Sequence, residues 1–282
     1  MKLVRYGTPG SEEPGLIDAD GNIRDLSAHI TDLKGDALSP QSLAKIGTLA
    51  PASLPLVSGN PRLGSCVAQP GNFIAVGLNY ADHAAESNLP VPKEPVLFNK
   101  APSCVVGPND DVIIPRGSQK TDWEVELAVV IGKRASYVEE KDALAYVAGY
   151  AVCNDVSERA YQIEGTGQWM KGKGCPTFGP LGPWLVTPDE VGDVQNLDMW
   201  LDVDGERMQT GSTRTMIFSV AHIVHYISQF MIMEPGDVIT TGTPPGVGMG
   251  KKPPRYLRPG EIISLGIEKL GTQRQTTLAW SA

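Results

Sequence analysis

Apolar residues in this chain come in short runs, many rich in valine and isoleucine, separated by glycine, proline, aspartate and asparagine. That pattern predicts β-strands. Candidates lie at residues 73–76, 96–99, 112–114, 123–131, 150–154 and 184–186, with more at 237–241, near 262–267 and near 276–280. Runs at 199–203 and 206–209 flank Asp204-Gly205, a strong hairpin signal. Residues 1–27 read as short strands at 2–6, 15–17 and 23–26, with a turn at Asp20-Gly21. Helical periodicity is rarer. From about 213 to 231, Ile217, Val220, Val224, Ile227 and Met231 recur at spacings of three and four, and Pro235-Gly236 ends the stretch. Ser39-Pro40 predicts a short capped helix, and 142–147 another. Residues 50–71, dense in Pro, Gly and Ser, read as a linker. The expectation is a β-rich α+β fold, with a small domain over residues 1–70 and a larger one over 71–282.

Composition adds limits. A chain of 282 residues with 41% hydrophobic content can bury a substantial core. Its net charge of −8 argues against nucleic acid or an anionic membrane as partner. The start lacks the apolar run of a signal peptide, and no run approaches a membrane-spanning length, so a cytoplasmic location is expected. Cys66, Cys104, Cys153 and Cys175 are widely spaced, which favours buried free thiols over disulfides or a zinc site.

The strand at 123–131 carries Glu124 and Glu126. Residues two apart on a strand share a face, so two carboxylates project together from an apolar element. Bare charges there are costly, and a divalent cation is the simplest neutraliser. Asp155, ending another apolar run, is the candidate third ligand. Three carboxylates suit Mg²⁺ or Mn²⁺. The alternative is a half-exposed strand with both glutamates in water. His83 and Glu86 are three apart, which suits a helical turn where the carboxylate raises the basicity of the imidazole. The alternative is an ordinary surface pair. His222 and His225 have no nearby acidic or thiol partner in the sequence and read as plain helix positions. Gly246–Gly250 completes neither a phosphate loop nor GxGxxG, and no GxSxG elbow occurs.

Six segments in this order resemble the fumarylacetoacetate hydrolase family. They are Gly77-Leu-Asn-Tyr-Ala-Asp-His83-Ala-Ala-Glu86, Pro95-Val-Leu-Phe-Asn-Lys100, Asp122-Trp-Glu124-Val-Glu126-Leu-Ala-Val-Val-Ile-Gly132, Asn154-Asp155-Val-Ser-Glu-Arg159-Ala-Tyr-Gln162, Lys173 before Thr177-Phe-Gly-Pro-Leu-Gly-Pro183, and Gly236-Asp-Val-Ile-Thr-Thr-Gly-Thr243-Pro-Pro-Gly-Val-Gly248. The resemblance implies a mixed β-sandwich roll as catalytic domain, a small N-terminal α/β domain and usually a homodimer. It implies Mg²⁺ or Mn²⁺ at Glu124, Glu126 and Asp155, and a His83–Glu86 pair that activates water. It places Lys100, Arg159, Gln162, Lys173 and Thr243 around the substrate or the attacking water. Four positions depart from many relatives: Pro176 stands where an Asp is common, Leu78 where some carry a pocket-facing Arg, and Glu158 and Ala160 where Ala and Asp are commoner around Arg159.

The activity so implied is hydrolysis of a C–C bond in an acylpyruvate, a 2,4-diketo acid, giving pyruvate and a carboxylic acid. The stretch from Gln168 to Trp184 looks like the subgroup labelled ureidoglycolate lyase or sugar-acid diketo hydrolase, which makes a 2,4-diketo-3-deoxy sugar acid the expected substrate. Ureidoglycolate cleavage, decarboxylation of oxaloacetate-like acids and dienoate isomerisation use related chemistry. A non-catalytic oxo-acid-binding protein is the alternative of another class.

Overall fold

The computed structural model describes residues 1–81 and 91–281. In chain order the strands are β1 (Lys2–Tyr6), β2 (Glu13–Ile17), β3 (Ile23–Asp25), β4 (Phe73–Gly77), β5 (Val96–Lys100), β6 (Val105–Val106), β7 (Val112–Ile114), β8 (Thr121–Asp122) and β9 (Val125–Ile131). They continue with β10 (Val147–Asn154), β11 (Ser157–Glu158), β12 (Gly179–Val186), β13 (Asp198–Val203), β14 (Glu206–Ser212), β15 (Val238–Thr240), β16 (Ile262–Ile267) and β17 (Gly271–Ala279). A ten-stranded sheet runs β3-β2-β1-β12-β10-β9-β15-β4-β5, with β6 beside β12. A five-stranded sheet runs β14-β13-β16-β17-β7, and β8 pairs with β11. The sheets are open, and the fold is a strand-rich mix of α and β, as the apolar pattern predicts.

The site depends on β9 and β10, which pair antiparallel at the centre of the large sheet and are buried along their whole length. Burial on both faces explains why their sequences read as nearly unbroken apolar runs. On one face, Val125, Leu127, Val129 and Ile131 pack with Leu201 and Leu265 of the five-stranded sheet and with Ile223 and Val224 of the helix Val220–Ser228. On the other, Ala128 and Val130 pack with Leu3, Phe73, Phe178 and Val238. Glu126 belongs to this second face by alternation. The wet-face alternative for the two glutamates fails: Glu124 is 5% exposed and Glu126 2%.

The N-terminal strands continue the same sheet, since Lys2 and Leu3 of β1 pair with Val186 and Leu185 of β12. The division near residue 70 stands as a proposal about folding units. Residues 50–71 form irregular chain with one short turn, Pro51–Ser53, and isolated bridges to Tyr6 and Arg24.

Local chemistry explains most element ends. Asp204 and Gly205 take φ of 50° and 79°, so β13 and β14 close in the expected tight hairpin. Ser39 caps the helix Pro40–Gly47 by accepting from Ser42 N at 3.2 Å. The long helix is shorter than its periodicity predicts, covering only Val220–Ser228. Ser219 sets its start by accepting from His222 N, while the Asn79 side chain takes Phe218 N at 2.8 Å and holds the preceding chain extended. His222 does have an acidic partner, Glu140, at 3.1 Å. No helix among the described residues is long and apolar enough to cross a membrane.

Candidate metal centre and active site

The register of β9 and β10 brings the three acids together. Cys153 lies opposite Glu126 and Asn154 opposite Val125, and the next rung continues with Asp155 N donating to Glu124 O at 2.9 Å. Residues directly opposite share a face, so Glu124, Glu126 and Asp155 converge. Each offers an oxygen within 4.8 Å of the others, and all three are buried. Side chains take over where the ladder ends. Asn154 Oδ1 accepts from Glu124 N at 3.2 Å, and Gln209 Oε1 from Val125 N at 3.0 Å. Buried N–H groups at the end of a strand need such partners.

Among the described residues, three cations surround the cluster. Lys173 Nζ reaches Glu124 Oε2 at 2.5 Å and Asp155 Oδ2 at 2.7 Å. Lys100 Nζ binds Asp155 Oδ1 at 2.6 Å and the Lys173 carbonyl at 2.5 Å. Arg159 places Nη2 2.7 Å from Glu124 Oε1, Nε 2.8 Å from Asp122 Oδ2 and Nη1 2.9 Å from Gln162 Oε1. Burial works against the charge on Lys100 and Arg159, but Asp155, and Asp122 with Glu124, hold their pKa values above the usual range.

Among the described residues, four carboxylates, at 122, 124, 126 and 155, therefore face three cations. The mismatch falls on Glu126, which accepts from the Gly242 N–H at 2.8 Å. Burial, then the charges of Asp155 and Glu124, push its carboxyl well above the usual glutamate range. A hard divalent cation would remove that mismatch, so the donor set fits Mg²⁺ or Mn²⁺. Gly242 is required here: its φ is 94°, and a Cβ would lie 2.8 Å from Asn79 Cβ.

Beside the cluster is a cavity lined by Glu124, Glu126, Arg159, Gln162, Lys173 and Thr243, and by apolar side chains including Leu78, Phe98 and Trp169. Five of the sequence-predicted site residues (Glu124, Glu126, Arg159, Gln162, Lys173) thus meet at one space, with Asp155 behind them. Thr243 also lines it, while its hydroxyl donates to Val125 O at 2.9 Å. Lys100 is fully buried and does not line the cavity, so here it positions Asp155 and the Lys173 backbone. His83 and Glu86 lie outside the described residues. A wider cleft elsewhere, around Arg5, Glu12, Arg62 and Asp110, is held by its own ion pairs.

Asp122, Phe98 and Trp169 are site residues that the sequence reading did not single out. Asp122 accepts from Arg159 and from Gly248 N and Met249 N at 2.7 and 3.0 Å. The glycine-rich stretch thus wraps one of the chain's own carboxylates in place of a phosphate. Its place one residue before the Trp-Glu-Val-Glu motif was the available signal.

The family profile described as Fumarylacetoacetate (FAA) hydrolase C-terminal matches residues 72–277. A Burkholderia multivorans relative, named no more specifically than a hydrolase, is 64% identical over 280 residues and covers 99% of each chain. The fumarylacetoacetate hydrolase of psychrophilic Exiguobacterium antarcticum superposes with a TM-score of 0.87 at 36% identity, over 99% of this chain and 100% of that one. A maleylpyruvate hydrolase from Sphingobium sp. SYK-6, solved with manganese(II) and pyruvate, superposes with a TM-score of 0.82 at 27% identity, over the whole of both chains.

Proposed function

The chain belongs to the fumarylacetoacetate hydrolase family, whose members are enzymes, and on that premise we propose that it is a divalent-metal-dependent hydrolase of acylpyruvates. The observation that carries this reading is the buried triad of Glu124, Glu126 and Asp155 opening on a cavity with Lys173, Arg159 and Gln162. The triad would hold Mg²⁺ or Mn²⁺, which when bound supplies a Lewis acid for the oxygens of a 2-oxo acid and for the enolate charge.

The chain's own groups supply the rest. Arg159 binds Asp122, Glu124 and Gln162 at once and so fixes the cavity wall and the Gln162 amide. The Lys173 ammonium, at the cavity edge, stabilises negative charge that develops at the attacked C4 carbonyl oxygen, together with Gln162. His83, oriented by Glu86, takes a proton from water, whose oxygen adds to C4. The C3–C4 bond breaks and its electron pair passes into the pyruvate enolate. C3 then takes up a proton. The acyl half leaves as a carboxylic acid, and one water is consumed.

The same proposal covers a small oxo-acid partner and a homodimeric assembly. A panel of diketo acids, an oxaloacetate and ureidoglycolate, assayed with Mg²⁺ and with EDTA and read for pyruvate, CO₂ and urea, tests it. Metal-dependent pyruvate release from a diketo acid is expected. CO₂ or urea as main product replaces the hydrolase by a decarboxylase or lyase. Tight binding with no product leaves a silent oxo-acid binder.

A further inference from the structure

Apolar side chains share the cavity with the carboxylates, the Phe98 ring centroid lying 5.2 Å from Lys173 Nζ. Leu78, Phe98 and Trp169 stand there with Val76, Ile163 and Met249. The Phe98 and Trp169 rings meet edge to face, centroids 5.2 Å apart at 63°. Gly77 makes room for the indole, since a Cβ at that position would lie 2.5 Å from Trp169 Cζ3. Leu78 is held with φ at 56°, a left-handed conformation a leucine rarely adopts. The Asn79 amide enforces it, donating to Thr241 O at 2.8 Å and Phe218 O at 3.1 Å. Strain kept at a cavity wall by a buried side chain marks a side chain held there for use.

Most polar groups of the same cavity are already engaged, and the Gln162 amide N–H₂ is the donor assigned above to the C4 oxygen. Arg159 and Lys173 are tied to Asp122, Glu124 and Asp155. The Thr243 proton goes to Val125 O, and Gln162 Oε1 accepts from Arg159. A carboxylate at the far end of a substrate would find no uncommitted cationic side chain among the described lining residues. A chain of hydroxyls would lose more water than the few remaining donors, the Gln162 amide and the Trp169 indole, replace.

Resting on the acylpyruvate reading, we propose that Leu78, Phe98 and Trp169 form an acyl-selecting wall, and that the substrate carries an apolar alkyl or aryl acyl group. This departs from the sugar-acid expectation of the sequence. The wall gives edge and face contacts to a planar or aliphatic chain, and apart from the Trp169 indole N–H its side chains offer a polyol no hydrogen-bond partner.

The test compares kcat/KM of the Mg²⁺-loaded enzyme for acylpyruvates of matched size. One has a plain alkyl chain, one an aryl group, one two hydroxyls and one a terminal carboxylate. The expected preference for the alkyl and aryl members is about 100-fold over the dihydroxy and carboxylate members. Trp169→Ala, and Phe98→Leu should the first variant not fold, each narrow it at least about tenfold. Equal or better turnover of the dihydroxy or carboxylate member overturns the wall and leaves the hydrolase reading standing. If no member releases pyruvate, calorimetry with Mg²⁺ and uncleavable 2-oxo acids, one alkyl and one dihydroxylated, decides. Tighter alkyl binding that Trp169→Ala abolishes keeps the wall and removes the hydrolase reading. No preference removes both.

Discussion

Asp155 and Glu124 meet across the end of the β9–β10 pair, Asp155 N donating to Glu124 O at 2.9 Å, and their carboxylates are bridged by the single ammonium of Lys173. The backbone ladder thus sets the spacing of the acids, and the lysine neutralises part of their charge. An incoming cation competes with that lysine for the same oxygens.

Lys173→Met therefore separates binding from chemistry. Removing the competing charge leaves Mn²⁺ affinity unchanged or tighter. Turnover falls on the order of 100-fold, the usual effect of losing one charge-stabilising donor. Calorimetry beside steady-state kinetics checks the split. Weaker metal binding with normal kcat contradicts it.

The raised pKa of Glu126 gives a pH signature. A carboxyl raised on folding stabilises the fold fully below its unfolded value of about 4.3, and that contribution is lost as pH rises through the folded value. The metal-free protein therefore loses stability as pH climbs above the ordinary glutamate range. Metal binding expels the proton and removes the loss. Melting curves in EDTA and in Mg²⁺ draw apart as pH rises, and Glu126→Gln flattens the EDTA curve. Equal slopes in both proteins reject the assignment.

Arg159→Lys keeps the charge and loses the fork. A single ammonium cannot span Asp122, Glu124 and Gln162, which the guanidinium reaches at 2.8, 2.7 and 2.9 Å. Stability falls by about 1–3 kcal/mol, the scale of leaving buried polar groups unpaired. KM rises with it, and denaturant midpoints beside kinetics show both.

Gly242→Ala strains a φ of 94° and drives Cβ toward Asn79. The loop shifts, and the Gly242 N–H bond to Glu126 is lost. A cost of about 1–3 kcal/mol is expected, with weaker metal affinity. Glu86→Ala tests the sequence-derived dyad separately: kcat falls about 100-fold or more at unchanged metal affinity. Wild-type turnover removes Glu86 from the mechanism.

Much of this was readable in the chain. Alternation placed Glu124 and Glu126 on one face, and the apolar run around them indicated burial. Asp155 is different. Its place at the end of another apolar run made it a candidate ligand, but its meeting with Glu124 depends on the register of two strands, which the sequence does not display. The helix near 213–231 was overlong because periodicity continues past the Ser219 cap and says nothing of Asn79 pinning Phe218. Leu78, Phe98 and Trp169 come from three separate segments and share a cavity only after folding. The gap between expected sugar acid and apolar lining has that origin.

The most direct measurement titrates Mn²⁺ into metal-free protein while following bound ion and pyruvate release together. The account predicts one ion per chain, pyruvate release rising in proportion to its occupancy, and both lost in Glu124→Gln, Glu126→Gln and Asp155→Asn. Full pyruvate release with no ion bound, or undiminished ion binding in all three variants, contradicts it.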